Sequence, residues 1–442
     1  MAQADPASDL IDMHDDRAGV GPPGAALRLT APRVHTIFLT QYYPPEVGAP
    51  QARISALARG LAARGERMTV HTCFPHYPDG EIKAPYRNRP LARERDGEAE
   101  VVRSAVYAAA NRGFGRRLAG HVSFAGSALA TARASGPANV VVVETPPLFL
   151  AGAAIPYARM KGARLVVNVA DLWPDSAIEL GALRSPAAIQ AARVMERAAY
   201  RAAAAIACPT EGIVAALERR PESAGKAVLM RPAVDLERFD CEAGRDAAGD
   251  ETSSGDGPLR VLYAGTVGMA HGLDTLLDAA AILAERRDAA VEVTIAGDGA
   301  EAPDLRARLA ARGPANVRML GAVPSERIPA LYAGSDVAVV MLRDRPIFHG
   351  AFPTKMLEAM AASRPVVLSA RGEAARLIEK ADAGLVVEPE SPQELAGALT
   401  ALAAEPALRI RLGEAGRQAV EQDFGRDAWL NRWSDLLSQA SR

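Results

Sequence analysis

FHGAFPTKMLEAMAASRPVVLS, residues 348–369, reads as a loop, a helix, a break and a strand. The apolar run DVAVVML (336–342) before it and Pro365-Val366-Val367-Leu368 within it are strand-length. Between them Pro353 can take the first helical position, where its missing N–H costs nothing. Met356, Leu357, Met360 and Ala361 then share one apolar face, and Ser363-Arg364-Pro365 stops the helix. Gly350 and Pro353 keep the preceding loop open, so backbone amides at the helix start can meet an anion. Glu358 lies one turn further in, on another face. A carboxylate repels phosphate but can accept two hydrogen bonds from a vicinal diol such as ribose. Lys355 is one of five lysines against 46 arginines, which suggests a point charge on a flexible stem. The plainer alternative is a surface helix with an exposed Lys and Glu.

The rest of the chain repeats this alternation. VHTIFLTQ (34–41), MTVHTC (68–73), VVRSAVY (101–107), NVVVVE (139–144), RLVVNV (164–169), AAIACP (204–209) and AVLMRP (227–232) read as strands. Helices are expected at about 52–64, 113–135 and 185–203. Arg87 to Glu98 is a mixed-charge connection. A second series runs through LRVLYAG (259–265), helix 272–285, VEVTIAG (291–297), helix 302–312, VRML (317–320), DVAVVML and GLVVEP (384–389). SPQE (391–394) carries a capping-box signal. FGRDAWLNRWSDLLSQ (424–439) is an amphipathic helix with Trp429, Leu430, Trp433, Leu436 and Leu437 on one side. Strands alternating with helices predict an α/β chain with two doubly wound parallel sheets. Ligands of such sheets bind beyond the strands' carboxyl ends, which places the site in the cleft between the halves.

Composition bounds the remainder. At 442 residues two domains are expected. Hydrophobic residues at 49%, charged residues at 24% and a net charge of −2 suit a globular chain and disfavour a nucleic-acid binder. Cys73, Cys208 and Cys241 make no disulfide framework. No run of 18 apolar residues suggests a membrane span. Residues 1–32, with Asp5, Asp9, Asp12, Asp15 and Asp16, read as a disordered extension without a signal peptide's basic start. Glu237 to Gly257 holds seven acidic and two basic side chains and reads as a linker. The expected organisation is extension 1–32, first domain 33–236, acidic linker 237–257, second domain 258–423 and closing helix 424–442.

Three loops of the second half follow strands: Gly265-Thr266-Val267-Gly268, Gly297-Asp298-Gly299 and 343–353. Together with Lys355 and Glu358 they point to a nucleotide diphosphate pocket. There is no GxxxxGK[ST] P-loop and no Cys/His spacing suited to zinc. In the first half Gly48 allows close backbone approach, and Asp171, after a buried strand, is either a group for a sugar hydroxyl or a helix cap. His271 and His349 lie in the ligand loops; His76 and His121 read as packing residues. Arg112, Arg116 and Arg117, followed by Leu118, Val122, Phe124 and Leu129, form a helix that either lies on an anionic membrane or packs in the core.

These residues resemble the retaining GT-B-fold nucleotide-sugar transferases of glycosyltransferase family 4, in the bacterial branch that makes O-antigen, capsule and colanic acid. The resemblance spans about 34–440 and rests on QYYPPEVGAP, PHYPDG, ETPPLFL, NVADLWPDS, YAGTVGMAHGLDTLLDAA, IAGDG and AFPTKMLEAMAASRPVV. It implies two Rossmann-like domains facing a cleft, with the C-terminal helix crossing back to the first. It implies that Glu358 binds the donor ribose and that Phe352, Pro353, Thr354 and Lys355 line sugar and phosphates. Gly48, Gly265, Thr266, Gly268, His271, Gly297 and Gly299 complete the expected donor site, and Asp171 and Lys355 are the candidate catalytic groups. The family's second glutamate, eight residues before Glu358, is Gly350 here, and its Arg/Lys pair on the diphosphate and its first-domain histidine are replaced around Thr266 to His271 and at Glu144. The expected activity is retaining transfer of a sugar, of N-acetylated hexosamine type, from a UDP-sugar to a lipid-linked or saccharide acceptor. No cofactor or metal is expected, and the expected location is cytoplasmic, peripheral on the inner face of the cell membrane. A nucleotide-sugar 2-epimerase and a silent polysaccharide-assembly subunit that binds nucleotide sugar or lipid are the alternatives.

Overall fold

A computed structural model describes residues 34–442 apart from 47, 78, 109–113, 180, 182, 241–256 and 287–289. The expected N-terminal extension and most of the expected linker therefore lie outside the described residues.

The apolar runs pair as buried parallel strands, because helices on both faces leave no side facing water. The first sheet holds β1 (His35–Leu39), β2 (Arg67–Cys73), β3 (Leu91–Asp96), β4 (Ala99–Ser104), β5 (Val140–Thr145), β6 (Arg164–Val169), β7 (Ala203–Cys208) and β8 (Ala227–Leu229). Their order is β3-β4-β2-β1-β5-β6-β7-β8, all parallel except the β3–β4 pair. The second sheet holds β9 (Leu259–Ala264), β10 (Val291–Ala296), β11 (Val317–Gly321), β12 (Val337–Met341), β13 (Val366–Ser369) and β14 (Gly384–Val387), in the order β11-β10-β9-β12-β13-β14. Strand order reverses between β1 and β5 in one sheet and between β9 and β12 in the other. Those two crevices are where an open α/β sheet holds its ligand.

The carboxyl ends of the two sheets meet. The helix Glu211–Glu218, after β7, brings Gly212 against Gly350 of the loop after β12; a Cβ on Gly212 would fall 2.9 Å from the Gly350 Cα. Gly212 N also donates to Glu373 Oε2 at 3.3 Å, from the helix that follows β13. The closing helix Arg426–Ala440 returns to the first sheet, burying Trp429, Leu430, Trp433, Leu436 and Leu437 with Phe38, Ile54, Leu57 and Leu61. Gly60 lets Leu430 settle on the helix Ala49–Ala63, since a Cβ there would lie 2.7 Å from its methyls.

Several local readings change. The mixed-charge segment contains β3, whose alternating half-exposed pattern suits an antiparallel edge strand. The helix expected over 113–135 ends at Ala130, and Ala132–Ser135 is a separate 3-10 turn. The expected linker starts too early: Leu236–Phe239 forms a 3-10 turn, and Phe239 is buried edge-on to Tyr332 in the second half's core. Composition hid this because one aromatic among acidic residues makes no periodic signal. Pro353 stands just outside its helix, which runs Thr354–Ala361. The capping box is half formed: Ser391 Oγ accepts from Glu394 N at 3.4 Å, but the Glu394 carboxylate takes the Glu388 amide instead. On the helix Phe114–Ala130, Phe124 is fully buried and Leu129 packs on the same core, so neither faces a membrane, while Arg116 and Val122 are exposed. Among the described residues no helix is long and apolar enough to cross a membrane.

Candidate active site

Three loops converge at the β9/β12 crevice. Gly265 N donates to Ala296 O at 2.9 Å and Val267 N to Asp298 O at 3.0 Å, which stitches the loops after β9 and β10 side by side. That approach requires glycine. At Gly297 (φ 151) a Cβ would lie 1.7 Å from the Gly265 carbonyl oxygen, and at Gly299 (φ 158) 2.3 Å from that of Val267. The third loop delivers the helix Thr354–Ala361, whose Met356, Leu357, Met360 and Ala361 are buried under the sheet. That anchorage leaves Lys355 and Glu358 on the crevice side, half-buried.

Lys355 crosses to the first loop. Its Nζ donates to Tyr263 Oη at 2.7 Å, and Tyr263 Oη donates to the Thr266 carbonyl at 2.6 Å. Burial pulls the Lys355 amine down to about 7, with Glu358 opposing. Burial pushes the Glu358 carboxyl up, offset by Arg238 and then Lys355. His271 sits edge-on to Tyr263 with ring centroids 6.2 Å apart; burial, then the Lys355 charge, lowers it to about 3. It is a neutral imidazole, and its Nδ1 is buried without a hydrogen-bond partner. Arg343, after β12, bonds Met269 O at 2.9 Å, Asp274 at 3.0 Å and Glu390 at 3.1 Å. It fastens the loops to one another, and its charge is spent on those carboxylates.

Of the expected donor residues, Gly265, Thr266, Gly268, His271, Gly297, Gly299, Pro353, Thr354, Lys355 and Glu358 lie on these three loops and the helix they feed. Phe352 is turned elsewhere: its ring stacks on Phe424 at 5.6 Å, where the chain leaves for the closing helix. Gly48 and Asp171 belong to the first sheet. Gly48 precedes the helix Ala49–Ala63 in extended backbone. Asp171, exposed after β6, accepts from Ser176 Oγ at 2.6 Å and so also steadies the turn into the helix Asp175–Glu179. His349 bonds Asp344 at 2.8 Å on the surface side of its loop, and His76 is buried against Glu46.

Sequence reading gave no site role to two groups. Tyr263 is the single hydroxyl in an aliphatic strand end, one residue before a glycine loop. Glu144 closes the run VVVVE at the first sheet's crevice, where it accepts from Arg53 and, at 2.5 Å, from Asn168 Nδ2; burial pushes its carboxyl up. A carboxylate ending an apolar strand was the available signal in that case.

Comparison with known proteins agrees with this geometry. The family model for glycosyl transferases group 1 matches residues 245–419, and that for the glycosyl transferase 4-like domain matches 48–233. WcaI of Escherichia coli (strain K12), named as a colanic acid biosynthesis glycosyl transferase, is 25% identical over 364 residues, covering 80% of this chain and 88% of its own. The alpha-D-kanosaminyltransferase of Streptomyces kanamyceticus is 30% identical over 227 residues, 50% of this chain and 57% of its own. Among solved structures, the sucrose-phosphate synthase of Thermosynechococcus elongatus superposes with a TM-score of 0.70 at 20% identity, over 92% of this chain and 98% of its own. Anabaena HepE in complex with UDP-glucose gives 0.67 at 17% identity, over 92% and 100%. With one glycosyl transferase domain in each half and two Rossmann-like sheets meeting across a cleft, this chain is a glycosyltransferase of GT-B fold.

Proposed function

We propose that the protein transfers a sugar from a UDP-sugar, of N-acetylated hexosamine type, to a lipid-linked or saccharide acceptor with retention, in bacterial surface polysaccharide synthesis. The observation that carries this is the convergence of two glycine loops, the Lys355 amine and the Glu358 carboxylate at the β9/β12 crevice. Glycine-bared backbone can approach a diphosphate closely, and Lys355 supplies charge to the leaving group. Glu358, one turn along, accepts from the ribose diol. WcaI's colanic acid name and the UDP-glucose complex of HepE support the substrate classes.

Retention fits same-face attack, in which the departing diphosphate oxygen takes the acceptor proton, so no strong base is required. Asp171 then hydrogen-bonds an acceptor hydroxyl from the first sheet, and Lys355, backbone amides and the helix dipole do the electrostatic work without metal or cofactor. Exposed Arg116, Val122 and Tyr107 make a peripheral contact with anionic lipid on the cytoplasmic face, beside the acceptor. The purified protein, given a panel of UDP-sugars and a lipid-diphosphate sugar acceptor, should add one sugar with anomeric retention by mass spectrometry and NMR. Epimerised donor without acceptor, or no turnover with any donor, refutes the reading.

A further inference from the structure

Tyr263 opens the stretch YAGTVGMAHG without a role assigned to it, yet three parts of the donor site meet on it. Lys355 Nζ lies 4.3 Å from its ring centroid as well as 2.7 Å from its hydroxyl. The hydroxyl holds the Thr266 carbonyl, and His271 meets the ring edge. Gly265 completes the slot, since a Cβ there would fall 2.9 Å from both Lys355 Cε and Nζ. The amine is thus folded down onto the pocket floor. Among the described residues no carboxylate pairs with it.

We propose that Tyr263 is a positioning residue that holds the Lys355 amine on the crevice floor and yields it to the diphosphate of a nucleotide sugar. This rests on the donor site proposed above. An ammonium in that slot has a phenol and a π face for company, and burial outweighs the opposing charge of Glu358, so it gives up its proton more readily than an exposed lysine. The groups facing it are few. Glu358 lies one turn on along the same helix and is itself influenced by Arg238 from the Leu236–Phe239 turn. His271 stays neutral, and Tyr332 donates its hydroxyl to the Lys355 carbonyl at 3.1 Å. Arg343 is neutralised by Asp274, Glu301 and Glu390. Among the groups in contact with the slot Lys355 is the cation, while Arg238 acts on Glu358 from the Leu236–Phe239 turn. Diphosphate binding therefore draws a proton onto the amine whenever the amine is neutral. Sign: below about pH 7 the amine is already charged and affinity is flat. Above it, affinity falls by up to about tenfold per pH unit, one proton per donor bound.

The test reads Lys355 directly. The chain has only Lys83, Lys161, Lys226, Lys355 and Lys380, so carbon-13 lysine labelling gives five side-chain signals, and Lys355→Arg assigns one of them. Without nucleotide, the wild-type Lys355 signal should titrate near 7. With saturating UDP it should move up by about two units. Tyr263→Phe keeps the ring and deletes the hydroxyl that accepts from the amine. Its Lys355 midpoint should drop by roughly half a unit or more, and the break in UDP affinity against pH, by calorimetry, should drop by the same amount. A merely structural tyrosine would lower the melting temperature and leave both midpoints where they were. A wild-type Lys355 that titrates in the range of exposed lysines, or a Tyr263→Phe midpoint equal to wild type, overturns the proposal. If the nucleotide-free titrations come out as expected but none of UDP, GDP or ADP moves the signal, the donor reading has failed, and release to a diphosphate falls with it.

Discussion

Replacing Trp433 by alanine tests whether the closing helix holds the first half together. The indole is 2% exposed and lies edge-on to Phe38 of β1, with ring centroids 6.1 Å apart. It shares a cluster with Ile54, Leu57, Leu61 and Val142, so the cavity left behind is walled by two helices and a sheet that cannot easily collapse. Such a truncation costs about 3–5 kcal/mol. Trp433 Nε1, however, is buried without a hydrogen-bond partner, and removing an orphan donor returns about 1–3 kcal/mol. The expected net loss for Trp433→Ala is therefore about 2 kcal/mol. Trp433→Phe, which keeps much of the packing and deletes the orphan N–H, should stay within about 1 kcal/mol of wild type. The assay is urea unfolding followed by tryptophan fluorescence. The chain has three tryptophans, and Trp173, Trp429 and Trp433 all pack in clusters of the first half, so the signal reports that half alone. An alanine variant as stable as wild type would show that the helix contributes nothing there. A phenylalanine variant as weak as alanine would show that the indole N–H has a partner.

Glu358→Ala should weaken UDP binding by about 1.5–3 kcal/mol, the range for hydrogen bonds to a charged group, with the melting temperature nearly unchanged; equal affinity by calorimetry would remove the carboxylate from the ribose site. Gly212→Ala gains about 0.5–1 kcal/mol of helix propensity but forces the Gly350 backbone away. Transfer activity should therefore drop while stability holds, and unchanged activity would mean that the cleft need not close at this contact. His71 and His35 are held neutral by burial, at about 3 and about 4 against 6.5 unfolded. The unfolded chain takes up their protons first, so stability falls as pH drops from 6.5 towards 4, by up to about 1.4 kcal/mol per pH unit for each. His71→Gln should flatten that slope in urea titrations, and an unaltered slope would assign the acid sensitivity to other groups. Arg116→Glu should lower sedimentation with anionic vesicles at low salt; wild-type protein that stays in the supernatant would end the membrane reading.

Period and punctuation were legible in the chain itself. Short, valine-rich apolar runs such as NVVVVE and DVAVVML read as strands buried on both faces, and their alternation with amphipathic segments leaves a doubly wound sheet as the economical solution. Glycines at 265, 297 and 299 marked the loops, because only a residue without a Cβ allows two backbones to approach so closely. Glu358 stood out as a carboxylate off its helix's apolar face. The tertiary structure decided which of these groups meet. Lys355 and Tyr263 are 92 residues apart, and Glu144 and Arg53 are 91 apart; no local period links either pair. Phe352, adjacent to the donor motif in sequence, turns to Phe424 because the crossing to the last helix passes under it. Phe239, alone in an acidic stretch, is buried because Tyr332 and the second half's core offer it a socket. Periodicity reports which face of an element leaves water; what that face then touches depends on how distant elements pack, and a linear sequence does not state that packing.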